Sequence, residues 1–554
     1  MLHADPSLRM STIPSAADST PLPTTAGALR AARRAPWWLL GLGLAACALY
    51  LSAVWWLLGR RLGFPLDDSW IHLQFARNLA QGHGLSYNPG ELVTGSTAPL
   101  WTALLSLLFL LPGNVVLWTL LLGIVLHLAG IDAVWRLARA LGLGRPGAAL
   151  AAGLYLSTGW IVWSALSGME IPLFILLSTW GMLRHLRERE AQDAVTLAPA
   201  LFAIAALARP EGLLLLALAF ADRLLAVTAD GTGARWRPPS WRALATGLLL
   251  AACALAGPLT FYRWAGGSFL PTTFAAKGAA GPHGPGPNLQ YLYTVFGIFF
   301  SCQPWMTLAA AAGALRLVER LGSPRDRGLL PALWLGGLPL AYSCITPAPN
   351  RLLGNFGRYY FPLFPVLVVL GVCGLQRAAG ALDALVKRRG PRRALAALGV
   401  ALLLTPTVVQ LFTGAQHYAR NVANVEDSDV RIASWLGARL APEALLAVND
   451  IGAIKYFLPN RIVDLASIAT PEIGREVARD MENGVPRDRA MLAAIERRRP
   501  DYLAVFPRWV PGLDRDPRFQ AVYRLPIPDN HTMGDDQIVV YATPWTRYPL
   551  RPPD

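Results

Sequence analysis

Long apolar stretches recur along this chain at nearly the length a lipid bilayer demands, and no other feature restricts its fold so severely. The first runs from Trp37 to Leu58 and the last from Arg393 to Phe412, each near the roughly 20 residues a helix needs to cross a ~30 Å hydrocarbon core. In hydrocarbon every backbone N–H and C=O must be paired within the segment, so such stretches become helices. Hydrophobic residues make up 54% of the 554 positions and charged residues 15%, too apolar a balance for a soluble multidomain chain. The expected class is an α-helical polytopic membrane protein of about 11 to 13 transmembrane helices.

The formal charge of +15 does not point to nucleic acid, because the basic residues gather in short loops between apolar runs, where they set orientation. The cysteines Cys47, Cys253, Cys302, Cys344 and Cys373 all lie in or beside apolar segments, a distribution that gives neither a disulfide framework nor a zinc site. Residues 1–35, rich in Ser, Thr, Pro and Ala with Arg30, Arg33 and Arg34 at their end, read as a disordered cytoplasmic tail before an uncleaved first span.

With the amino terminus inside, the first span delivers an outer loop, 59–96, that holds Asp67, Asp68 and a helical stretch Ser69–Gln81. Its mixed apolar and polar residues suit a helix lying on the membrane surface. Thr97 to Leu111 is too short to cross readily and reads as a half-helix or short span. Basic loops at 136–145, 184–193, 222–242, 316–327 and 376–393 then fall inside, giving eleven crossings plus the half-helix. The segments SGME (167–170), RPEG (209–212), SFLPTTFAAK (268–277) and NRLLGNFGRYY (350–360) fall together on the outer face. The transmembrane domain is expected over 36–413. From 414 to 554 the polar composition, with strand-like ALLAV (444–448), RIVDL (461–465), YLAVF (502–506) and QIVVYA (537–542) between helix-like Asp429–Leu440 and Arg487–Arg498, reads as a small extracytoplasmic α/β domain.

Asp67 and Asp68 are the first candidates for chemistry. Adjacent carboxylates can take a proton from an attacking hydroxyl or hold a divalent cation, although an outer loop also carries carboxylates merely for solvation. Glu170 is either a second acid on that face or a helix-start carboxylate favoured by the macrodipole. Arg209 and Glu211 form an ion pair closing a turn or line a polar cavity. Lys277, Arg351 and Arg358 are cations on a face where topology gives no reason for them, so they suit an anionic lipid phosphate, with ordinary head groups as the alternative. Tyr359 and Tyr360 fit an interfacial belt. His72 and His83 could ligate a metal but are assigned no role. The Gly/Pro-rich GAAGPHGPGPN (278–288) is either a lid or a plain connection. Asn449, Asp450 and Gly452 follow a strand and could touch substrate or make a turn, and the turn is the preferred reading.

LDDSWIHLQFARNLAQGHGLSYNPGE (66–91), SGMEIPLF (167–174), RPEG, LPTTFAAK (270–277), GRYYFPLFP (357–365) and VNDIGAIKYFLPNRIVDLAS (448–467), in that order, resemble the integral-membrane C-type glycosyltransferase superfamily (GT-C). The resemblance spans about residues 37–545 and is nearest the bacterial branch of arabinofuranosyltransferases and mannosyltransferase-like proteins. It implies an inverting transfer of a sugar from a polyprenyl-phosphate donor to an envelope lipid or polysaccharide, at the periplasmic face of a bacterial plasma membrane. Asp67 or Asp68 would then be catalytic base or metal ligand, and Glu170 the second catalytic acid. Arg209, Lys277 and Arg358 would face the donor phosphate, Glu211 and Tyr359 would line the substrate cavity, and a divalent cation is the one cofactor implied. The departure is TGSTAPLW (94–101) where an aromatic-containing string is usual. A transporter or flippase would also need many spans, but it requires a path to both faces and commonly carries internal repeats; a noncatalytic envelope scaffold would leave the aspartates dispensable.

Overall fold

A computed structural model describes residues 34–191, 195–225, 227–230, 233–236, 240–269, 271, 288–323, 326–345, 357–385 and 389–552. Lys277, Arg351, most of the Gly/Pro-rich loop and nearly all of the amino-terminal tail lie outside the described residues.

The chain forms a helical membrane bundle with a small sheet domain at one end. Among the described residues, five helices are long and apolar enough to cross a membrane alone: Trp37–Leu57, Val115–Ala140, Trp241–Gly266, Arg358–Gly380 and Leu398–Arg439. Two bent pairs, Arg145–Ser157 with Gly159–Ala165 and Leu289–Cys302 with Pro304–Glu319, raise this to seven if each pair counts as one span. The eleven crossings expected from loop charge exceed this number; reaching them would take short apolar helices such as Ala198–Ala208 and Leu330–Ile345 and helices that carry charge, Ile171–Ala191 and Glu211–Leu224. Pro99–Leu108 is the expected half-helix, and its 10 residues reach only about 15 Å. Leu42, Leu44, Leu248, Leu249, Val408 and Phe412 project outward, the arrangement that lipid allows and water does not.

One helix ties bundle to domain. Arg389–Val425 runs 37 residues and continues through a π-turn, Glu426–Val430, into Arg431–Arg439, so the expected boundary at residue 414 falls inside a helix. Its Tyr418 hydroxyl donates to the Leu166 carbonyl (2.8 Å) and its Asn421 accepts from the Trp163 indole (3.1 Å).

Each run expected to be a strand is one: β3 (Leu446–Val448), β4 (Ile462–Asp464), β5 (Tyr502–Val505) and β7 (Gln537–Ala542). They follow a hairpin, β1 (Val227–Asp230) and β2 (Gly233–Trp236), in the 222–242 loop. An additional strand, β6 (Gln520–Pro526), gives the order β4-β3-β5-β7-β6, parallel on the β4 side and antiparallel on the β6 side. Its residues are mostly exposed, so it lacks the apolar run that marks the central strands.

One face of the sheet packs Val463, Leu503 and Val505 against helices Pro471–Glu482 and Arg487–Arg498. On the other face, Val448, Ile454 and Val540 cluster with Phe75, Tyr87 and Val93 of the first loop. The helix Asp68–Ala80 is consequently not a surface float. Trp70 and Leu73 join the core of the bundle while Phe75 joins that of the domain, so it lies between the two. An imperfect apolar stripe suits a helix with two partners as well as it suits a bilayer surface.

Candidate active site at the seam between bundle and domain

Asp67 sits at the start of the Asp68–Ala80 helix but makes no side-chain cap to it. Its carboxylate instead accepts from the Gly452 (2.6 Å) and Ala453 (2.7 Å) amides, the first two residues of the domain helix Gly452–Phe457. It thus supplies in trans the acceptor that a helix start otherwise lacks. Burial pushes its carboxyl up, the two amides pull it down, and the neighbouring Asp68 charge pushes it up again, leaving it raised to about 7. Further hydrogen bonds fasten the same loop to the domain, among them those from the Ile462 amide to Asn88 and from Arg461 to Glu91. The Tyr87 hydroxyl donates to the Ile451 carbonyl (2.8 Å), Arg77 donates to the Tyr456 carbonyl (2.8 Å), and the Asn88 amide donates to the Ile462 carbonyl (3.0 Å) at the sheet edge.

Asp68 differs from its neighbour. Its side chain is 40% exposed, against 7% for Asp67, and it accepts from Arg358 Nη2 at 2.5 Å. Arg358 is buried, and among the described residues its Nη1 has no hydrogen-bond partner. Two guanidinium groups lie near the Tyr359 ring, Arg209 at 5.1 Å and Arg358 at 5.7 Å from its centre. That geometry fits cation–π attraction on a desolvated face. Tyr360 points elsewhere, its hydroxyl bonded to that of Tyr291.

Arg209 joins the remaining candidates. It donates to Glu170 Oε1 at 2.7 Å and, through Nη2, to Glu211 Oε1 at 2.7 Å. Glu211 accepts a further bond from the Tyr342 hydroxyl (2.8 Å). Burial disfavours ionisation of Glu170, but His72, 3.3 Å from Oε2, and the Arg209 charge outweigh it and hold the carboxyl well below its usual range. The expected ion pair at RPEG therefore exists, and it also binds the acid of SGME. The shape of SGME depends on Gly168, whose φ of +75° favours glycine and where a Cβ would lie 2.7 Å from the Phe64 ring. The Gly168 carbonyl accepts from the Trp101 indole at 3.0 Å, so TGSTAPLW, the segment that departs from the family pattern, supports the loop carrying Glu170.

Asp67, Asp68, Glu170, Arg209, Glu211, Arg358 and Tyr359 thus converge, from four separate segments, on the domain side of the bundle. Sequence reasoning assigned no role to His72, which contacts Glu170. It also passed over Asp429, and read Asp450 as a turn, yet both bring carboxylate oxygens within 4.8 Å of those of Asp67. Burial raises the Asp450 carboxyl well above its ordinary value, and the charges of Asp67, Asp68 and Asp464 add to this. The available signal was faint: Asp450 lies in VNDIG directly after β3, and Asp429 in EDSDV where the helical repeat changes.

A cavity of ≈ 600 Å³ lined by Arg316, Arg320, Arg377 and Glu319 opens at the other end of the Phe364–Leu385 helix from Arg358. It shares no residue with the seam.

Comparison with known proteins bears on the whole architecture. Crystal structures of ArnT from Cupriavidus metallidurans superpose with TM-scores of 0.55 (bound to undecaprenyl phosphate) and 0.54 (apo), at 16% and 17% identity. Both cover 91% of this chain and 98% of theirs. The archaeal oligosaccharyltransferase AglB from Archaeoglobus fulgidus, in complex with an inhibitory peptide and a dolichol-phosphate, gives 0.53 at 14% identity over 84% of this chain and 69% of its own. The fold is GT-C-like. A family described as a domain of unknown function, DUF8728, matches residues 417–542, the end of the long helix and nearly all of the sheet domain. No curated protein sequence matches this chain.

Proposed function

We propose that the protein is a membrane glycosyltransferase that moves a sugar from a polyprenyl-phosphate donor to an envelope lipid or polysaccharide. The observation that carries this reading is the Asp68–Arg358 pair: a partly open carboxylate bonded to a buried guanidinium that keeps one N–H group free among the described residues. A phosphate is the natural guest of such a group. Arg209, also near the Tyr359 ring, adds a second cation, and the likeness to proteins described with undecaprenyl phosphate and dolichol-phosphate favours a lipid-linked donor. The motif order favours the bacterial arabinofuranosyltransferase and mannosyltransferase-like branch, and the loop charges favour a working face outside the plasma membrane.

In the transfer, the acceptor hydroxyl attacks the anomeric carbon, the bond to the phosphate oxygen breaks, and the configuration inverts. Donor phosphate competes with Asp68 for Arg358, so binding weakens that ion pair and makes the Asp68 carboxylate a better acceptor for the hydroxyl proton. Arg358 and Arg209 offset the charge that grows on the departing phosphate. Glu170 holds Arg209 in place, and Asp67 fixes the loop against the domain. We assign Glu211 and Tyr359 to the wall of the substrate site.

Asp68→Asn should lower transfer by 10²–10⁴-fold in purified protein supplied with authentic donor and acceptor, while membrane insertion is unchanged. Mass spectrometry of lipid-linked sugars in cells with and without the protein would name the donor by its accumulation. Full transfer by Asp68→Asn would refute the assignment.

A further inference from the structure

Three chain segments distant in sequence meet where Asp67, Asp429 and Asp450 bring carboxylate oxygens within 4.8 Å of one another. Their partners are unequal. Asp67 has its two amides. Asp429 is 0% exposed, and neither of its oxygens has a hydrogen-bond partner among the described residues. It is aimed into the cluster by the π-turn Glu426–Val430, the kind of wider turn that recurs at functional sites. Asp450 is only partly buried.

Nearby side-chain cations are committed elsewhere. Arg358 bonds to Asp68, Arg77 to the Tyr456 carbonyl, and Lys455 to the carbonyls of Pro459 and Asn460. A buried carboxylate with no donor must take a proton or a metal ion. Carboxylate oxygens select hard cations, and Asp450 is the one member of the cluster that is not fully buried.

We propose that Asp67, Asp429 and Asp450 bind a divalent cation of the Mg²⁺, Mn²⁺ or Ca²⁺ class, which clamps the first loop, the long helix and the sheet domain together. The ion balances two of the three negative charges and gives the orphaned Asp429 oxygens a partner. Within the proposed transferase it separates the roles of the paired aspartates: Asp67 is a positioning residue held from the domain side, and Asp68 remains the open carboxylate. The site itself does not depend on transfer chemistry.

Full-length protein in detergent, stripped with EDTA, is titrated with MnCl₂ while free Mn²⁺ is followed by electron paramagnetic resonance, and thermal unfolding is recorded in parallel. Wild type should bind one Mn²⁺ per chain, displaceable by Ca²⁺, with a higher melting temperature. Asp429→Asn and Asp450→Asn should each weaken binding on the order of tenfold or more, whereas Asp68→Asn binds Mn²⁺ as wild type does. Should Asp429→Asn fail to fold, the half-open Asp450 variant carries the comparison. The proposal is overturned if wild type shows no saturable binding, if the foldable ligand variants bind as tightly as wild type, or if Asp68→Asn abolishes binding. Loss of transfer in Asp68→Asn with intact Mn²⁺ binding would support both readings; wild-type transfer with intact binding would sink only the catalytic one.

Discussion

A methyl group at residue 452 should unseat the domain from the first loop. The Gly452 amide donates to Asp67, and a Cβ built there would lie 2.1 Å from the Asp67 carbonyl oxygen, 2.6 Å from Oδ1 and 2.7 Å from Cγ. An ordinary C···O contact is about 3.3 Å or more, so Gly452→Ala forces a separation on the order of 1 Å. The nearest obstacle is backbone, which no rotamer change removes. Overpacking of this kind costs about 1–3 kcal/mol. If the loop slides away, the amide bonds to the carboxylate go too, each worth about 1.5–3 kcal/mol. Taking the lower end for the two bonds alone, a loss of about 3 kcal/mol raises local opening roughly a hundredfold. Hydrogen–deuterium exchange over residues 450–457 reads this directly. The control is Gly437→Ala in the Arg431–Arg439 helix, where a Cβ meets only a Leu458 methyl at 3.4 Å and should be neutral or slightly stabilising. Wild-type exchange and transfer in Gly452→Ala would refute the claim that this contact seats the site.

Arg209→Met would leave Glu170 and Glu211 buried without their shared cation, at a cost of about 3–5 kcal/mol; the melting temperature should fall, and adding Glu170→Gln and Glu211→Gln should recover much of it without restoring transfer. A melting temperature unchanged by Arg209→Met would show that the charges do not depend on one another. The Asp67 carboxyl is raised from 3.8 to about 7 in a setting it shares with Asp68, Asp429 and Asp450, so the folded state holds a proton that the unfolded chain has released. Its contribution is fully present below pH ~4 and lost as pH rises through about 7. In EDTA, the difference in melting temperature between wild type and Asp67→Asn should follow that window, and a difference flat across it would rule out this titration.

The spans, the sheet strands and the gathering of Asp68, Glu170, Arg209 and Arg358 were legible in the sequence, because apolar run length and loop charge are one-dimensional signals of a three-dimensional constraint. The position of Asp67 was not. Phe75 and Tyr87 are as apolar as a lipid-facing stripe requires, and nothing local reveals that a domain covers them. Its partner Gly452 lies 385 positions away, and a turn after a strand explains VNDIG equally well. Asp429 was hidden for a related reason: one of three acids in EDSDV, within a helical run, it reads as part of a solvated face until the π-turn rotates it inward. Lys277 and Arg351, the remaining cations expected to suit a lipid phosphate, fall outside the described residues.

The 37-residue helix Arg389–Val425 would measure about 55 Å if straight, well beyond the hydrocarbon thickness, and its Leu402, Val408 and Phe412 face outward. Its apolar stretch, Arg393–Phe412, already matches that thickness, with Pro406 one weak point within it at which to bend. The polar end from Thr413 to Val425 therefore stands clear of the lipid and carries the chain on to the π-turn. The helix is a strut: the depth at which its apolar stretch is seated sets how far above the lipid Asp429 and the seam stand.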